Sequence, residues 1–153
     1  MLPLLLLRLL VFLLLLAFPA AAADKPADVV KYRQSVMKAM SAHMTAMSLV
    51  VKKEVSDRSQ LAIHAAAVRD SATNLAAFFP RDSGPERTRT AARSEIWQRM
   101  GEFRAAAQAL RGEADKLADA AKRGDAKGFD AQFDRVAAAC GACHKPFRVK
   151  DND

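Results

Sequence analysis

Cys140-Gly141-Ala142-Cys143-His144 sits inside the last helical pattern of the chain, and its reading decides what the other segments must build. Cys-x-x-Cys-His is the attachment signature of c-type haem. The two thiols add to the two vinyl groups of the porphyrin, and the imidazole that follows reaches the iron. On a helix, residues three and four apart share a face. Cys140, Cys143 and His144 then offer two covalent tethers and one neutral axial ligand to a single flat cofactor. Three other readings compete. A thiol–disulfide redox motif needs the N-terminus of a helix in a strand–helix unit, and no strand pattern is present. Zinc wants four ligands, and only His43 and His64 remain, without ligand-like spacing. A disulfide between residues three apart in a helix is geometrically poor. The chain has two cysteines, so one haem c per chain accounts for both sulfurs.

The surrounding pattern is a heptad seam: Phe129, Phe133, Val136, Cys140, Cys143 and Phe147. The cysteines therefore lie on the buried face, with His144 one step round. Upstream, Ile96, Met100, Phe103, Ala107, Leu110, Ala114, Leu117 and Ala121 form a second seam. It opens at Ser94-Glu95 and ends at Arg123-Gly124-Asp125, with Gly124 suited to a C-cap. A third runs Leu61, Ala65, Val68, Ala72, Leu75, Phe79, with Ser56 as its expected N-cap and Pro80 as its stop. The first opens at Pro26 and runs to about Glu54 on Val30, Met37, Met44 and Val51, with Met40 and Met47 between. Scarce glycine, abundant alanine and missing β-branched runs agree with an all-α chain. Four such seams joined by short turns and one longer connection, Pro80 to Arg93, predict an antiparallel four-helix bundle with the haem on its last helix.

Arg33 breaks the first seam. A charge on a buried stripe needs a partner. Either it snorkels to water near the helix end, or it meets an anionic group such as a haem propionate. Met37 lies one turn on, and in the second case it covers the haem plane opposite His144. Met40, Met44 and Met47 read as core filler. His43 reads as a surface or interface histidine, and His64 as packed or half-exposed. The Pro80–Arg93 connection carries Arg87, Arg89 and Arg93, and reads as a solvated basic loop or as the mouth of a cofactor site.

Residues 1–23 read as a removable signal peptide: an apolar run from Leu9 to Phe18 after Arg8, then Pro19 and the alanines Ala20 to Ala23. Arg8 keeps the continuous apolar span short of a transmembrane anchor. The mature chain is then 24–153, exported, with no stable membrane insertion. Removing Arg8 from a chain of net charge +7 leaves +6, which favours anionic partners through steering. No nucleic-acid motif accompanies it. No acid–base pair or nucleophile constellation converges on the cysteines, so the chain does not read as an enzyme.

The opening Val30-Lys31-Tyr32-Arg33-Gln34-Ser35, the Glu95-Ile96-Trp97 turn and Cys140-Gly141-Ala142-Cys143-His144-Lys145-Pro146-Phe147-Arg148 together resemble cytochrome c′, the class II cytochromes c of bacterial periplasms. The resemblance covers the whole mature chain, and the last motif is its specific carrier. It implies covalent haem on Cys140 and Cys143, with His144 as the axial iron ligand. It also implies propionate contacts from Arg33 and Gln34, a basic neighbour in Arg148, a haem-edge contact at Thr90, and Met37 at the distal position. Two readings of the sixth site stay open: an open, five-coordinate iron that binds nitric oxide or carbon monoxide, and a low-spin His/Met iron, with Met37 as ligand, that only carries electrons. Redox partner proteins or diatomic gases are the implied partners. Pairing of two copies through the first helix is also implied; Lys31, Lys38, His43, Ala46 and Val50 lie off its core seam.

Overall fold

The computed structural model describes residues 24–150. The signal-peptide reading over residues 1–23 lies outside them. No described helix is long and apolar enough to cross a membrane.

Five α-helices and two single 3-10 turns make up the described chain. Helix α1 spans Pro26–Val51. Proline at the first position costs no hydrogen bond there, and Asp28 in the first turn faces the positive helix end. Lys53, at φ 63°, turns the chain out of α1. Helix α2 is Leu61–Ser71, shorter at both ends than the heptad seam predicts. Ser56 is not its cap. Asp57 instead accepts a hydrogen bond from the Ser59 N–H (2.8 Å), a local turn that competes with helix. Arg58 of the same segment pairs with Asp130 at 2.7 Å. The other end stops at Asn74, which is left-handed at φ 54°, and a 3-10 turn over Leu75–Phe78 follows. The seam survives this change of geometry, since Ala72, Leu75 and Phe79 are all buried.

The expected third helix is two. Helix α3 is a single turn, Glu95–Gln98, and α4 is Met100–Lys122. Arg99, at φ −122° and ψ 42°, separates them. Gly124 takes the left-handed conformation (φ 65°) that a residue with a side chain adopts poorly. Asp125 then caps α5, Ala126–Phe147, by accepting from the Gly128 N–H at 2.9 Å. Pro146 lies inside the last turn of α5, and the helix continues through it to Phe147.

Helix α4 packs on α5 and on α2, and α1 packs on α2. The core follows the heptads: Met47, Ala65, Val68, Ala114, Leu117 and Val136 are fully buried. Val50 belongs to this core as well, so it is not part of an outward face on α1. A second cluster of Phe79, Ile96, Phe103, Cys143 and Phe147 sits at one end of the bundle. Phe103 meets Phe79 and Phe147 edge-on, with ring centroids 4.7 and 5.3 Å apart. Helices α1 and α5 touch far less than α4 with α5, α2 with α4 or α1 with α2. A cavity of about 670 Å³ separates them.

Candidate functional site

The cavity is built from three directions. Helix α5 supplies Cys140, Cys143, His144 and Arg148. Helix α1 supplies Arg33, Gln34, Met37 and Lys38, and the loop before α3 supplies Thr90. Every residue that the sequence reading assigned to the cofactor thus lines one space. The wall is mostly apolar, with Phe79, Ile96, Phe103 and Leu110 behind it.

The cysteines lie in the last turns of α5, not at a helix N-terminus where thiols are acidified. Cys143 is buried and Cys140 half-buried. Burial, followed by its neighbour Cys140, pushes the Cys143 thiol up to about 11; burial also pushes Cys140 above the usual thiol range. Neutral thiols are poor partners in disulfide exchange, so the redox-dithiol reading loses its chemical basis here. The His144 imidazole is pushed below the usual histidine range by desolvation and then by the Arg148 charge. A neutral imidazole keeps the lone pair that a metal ligand needs. Among the described residues, no group of three or more His, Cys, Asp and Glu side chains converges as a metal site would require.

Arg33 does not snorkel. It is 3% exposed. Its guanidinium donates to Ser83 Oγ at 2.7 Å, to the Ser83 carbonyl at 2.9 Å and to Thr90 Oγ1 at 2.8 Å. It also lies 4.6 Å from the centroid of the Phe79 ring, with Trp97 at 5.9 Å. Its hydrogen-bond partners are all neutral. Burial accordingly pushes its pKa well down, to about 10. A buried cation beside a large cavity, held by neutral oxygens alone, is a site prepared for an anionic group.

Ser83, Phe79 and Trp97 are site residues that sequence reading missed. Asp82-Ser83-Gly84-Pro85 reads only as a turn. Its 3-10 turn, Arg81–Ser83, instead carries Ser83 inward to full burial. Ser83 Oγ donates to the Pro80 carbonyl (2.9 Å), and the Trp97 indole N–H reaches the same carbonyl at 2.9 Å. The loop is therefore a roof built on Arg33, not a solvated basic strand. It is fastened on the other side too. The Val149 N–H donates to the Ala91 carbonyl at 2.8 Å, and the Arg93 N–H to the Phe147 carbonyl at 3.0 Å. Ala92 and Arg148 form an isolated antiparallel bridge there. Arg93 pairs with Glu95, while Arg87 and Arg89 face solvent.

The donor set, the apolar wall and the uncompensated cation fit a covalently held, flat, apolar cofactor with anionic substituents. Comparison with known proteins points the same way. The model of the family described as Cytochrome C′ matches residues 28–148. Cytochrome c′ of Rhodospirillum rubrum is 35% identical over 130 residues, 85% of this chain and 87% of that protein. Cytochrome c′ of Alcaligenes xylosoxydans xylosoxydans is 38% identical over 128 residues, 82% of this chain and 97% of that protein. A solved nitric oxide complex of a mutant of cytochrome c prime from Alcaligenes xylosoxidans superposes with a TM-score of 0.74 at 35% identity, covering 84% of this chain and 99% of the other.

Proposed function

The chain belongs to the cytochrome c′ family, whose members carry haem c, and on that premise we propose that it is a periplasmic gas-binding haem protein able to pass single electrons, not an enzyme. Cys140 and Cys143 hold the porphyrin covalently and His144 holds the iron, one haem per chain. Bound in this way, haem c supplies a one-electron redox centre and an iron face on which a diatomic molecule can bind.

The protein's own residues set what that face admits. Met37 stands on α1, across the cavity from the α5 ligands, half-buried and packed against both apolar clusters. An apolar cover favours small neutral molecules such as nitric oxide and carbon monoxide over anions, which would lose their hydration without gaining a partner. Arg33, fixed by Ser83 and Thr90, would neutralise a propionate, and Gln34 and Arg148 line the same cavity. The cavity lining carries Lys38 and Arg148 besides the buried Arg33, and no Asp or Glu. That cationic rim would steer acidic redox partners to the cavity mouth.

The observation that carries this reading is one cavity lined by Cys140, Cys143 and His144 on α5 and by Arg33 and Met37 on α1. The open-site reading is preferred to the His/Met electron carrier because Met37 is held by apolar packing on both sides. A visible absorption spectrum of the ferrous protein tests it. A high-spin, five-coordinate spectrum that changes on adding carbon monoxide is expected. A low-spin spectrum insensitive to carbon monoxide would replace gas binding with electron transfer through a Met37-ligated iron.

A further inference from the structure

The chain has three histidines. His144 lines the cavity, and the other two come together elsewhere. His43 of α1 and His64 of α2, 21 residues apart, bring their Nδ1 atoms within 2.9 Å of each other. Their ring centroids are 5.2 Å apart and the planes are inclined at 46°. Both side chains are half-buried on the α1–α2 seam, so each keeps an edge toward solvent. The sequence reading gave His43 a surface or dimer-interface place; the structure turns it inward to face His64.

We infer that His43 and His64 form a two-imidazole site for a divalent transition ion of the zinc–copper type, stapling α1 to α2. Two imidazoles that hydrogen-bond through the same ring nitrogen share one proton between two nitrogens, and a metal ion can take the place of that proton. At Zn–N distances of about 2.0–2.1 Å and a tetrahedral angle, the two nitrogens stand roughly 3.3 Å apart. The observed 2.9 Å therefore needs the rings to part by a few tenths of an ångström and to turn until both lone pairs converge on the ion. The ligands come from two packed helices, so little ordering remains to be done on binding. Imidazole suits zinc, copper and nickel, whereas calcium and magnesium prefer oxygen donors. Among the described residues, no third His, Cys, Asp or Glu joins the pair. Water must complete the shell, and the half-exposed position admits it. A site of two protein ligands is a modest binder, in the micromolar range at tightest.

This inference is independent of the haem reading, because neither histidine lines the cavity. It is tested on the untagged, haem-loaded full chain by equilibrium dialysis against zinc chloride, with thermal unfolding followed by far-UV circular dichroism. One zinc per chain is expected. At roughly a hundredfold excess over the dissociation constant, the midpoint should rise by about 5–10 °C. His43→Gln and His64→Gln should each weaken zinc binding by more than tenfold and cut the rise by about half or more, while leaving the helical signal intact. Magnesium at the same concentration should do neither. Absence of zinc binding at 100 μM, or full binding retained in both variants, would overturn the inference and leave the pair as a hydrogen bond alone.

Discussion

Replacing Arg33 with Met separates a buried cation that merely tolerates its place from one that waits for a counter-charge. In the protein chain alone the balance is close. Burial takes the guanidinium to about 10, so removing its charge relieves about 3 kcal/mol at 1.36 kcal/mol per pKa unit. Against that, the Ser83 carbonyl loses its 2.9 Å donor, at a cost of about 1–3 kcal/mol for a buried acceptor left unpaired. The stacking over Phe79 adds about 1–2 kcal/mol. The two hydroxyls are not orphaned. Ser83 Oγ still donates to the Pro80 carbonyl, and Thr90 Oγ1 still accepts from the Ala92 N–H. Without a counter-ion, Arg33→Met is thus expected to change stability by less than about 2 kcal/mol, in either direction. With a propionate in contact, the relief vanishes and a charge-assisted hydrogen bond worth about 1.5–3 kcal/mol is lost as well. The expected outcome is therefore a destabilisation of at least about 3 kcal/mol, read from urea unfolding of the haem-loaded protein by circular dichroism. The midpoint potential should fall, since losing a positive charge makes electron uptake harder, and Arg33→Lys should retain most of the potential. An Arg33→Met protein as stable as the parent, with an unchanged potential, would refute the propionate contact.

Covalent attachment through both sulfurs predicts that haem stays with the denatured chain under acid–organic extraction, and that Cys140→Ser or Cys143→Ser sharply lowers the yield of haem-loaded protein. Met37→Ala should leave the ferrous spectrum high-spin and raise carbon monoxide affinity, measured by titration; a change from low-spin to high-spin would instead show that the thioether had been an iron ligand. Leu117→Ala, at a fully buried position of the main core, should cost about 2–5 kcal/mol in the same urea assay and leave the spectrum untouched. Pairing of two copies through α1 should appear as a dimer in sedimentation at tens of micromolar, and Lys31 and Lys38, exposed on α1, are the positions to reverse in charge; a monomer at that concentration would remove the dimer.

The heptads of α4 and α5 were legible because one period governs burial along each whole helix: Phe103, Ala107, Leu110, Ala114 and Leu117 are all buried. The residues that line the cavity were legible for a different reason, since Cys-x-x-Cys-His is short and local, and Arg33 stands out as a charge among methionines. What escaped was set by tertiary contact. The seam through Ala72, Leu75 and Phe79 has the same hydrophobic spacing whether the backbone is α or 3-10, so Asn74 could turn left-handed unannounced. Ser83 looks like any turn serine until Arg33 needs an acceptor. His43 and His64 belong to two separate periodic patterns, and only the rotation of α1 against α2 decides whether they face each other or solvent.

The sparse direct contact between α1 and α5 bears on how the bundle closes. Neighbouring helices in sequence, α1 with α2 and α4 with α5, find each other across short connections, whereas α1 and α5 are the pair separated by the longest stretch of chain. Bringing such distant segments together carries the largest chain-entropy cost and comes late. In this protein little apolar contact between the two helices rewards that last step, because the cavity lies where the contact would be. The reward must come from what fills it. A porphyrin tethered to α5 would turn this sparse closure into an encounter between α1 and a surface already in place, coupling cofactor loading to the final assembly of the bundle.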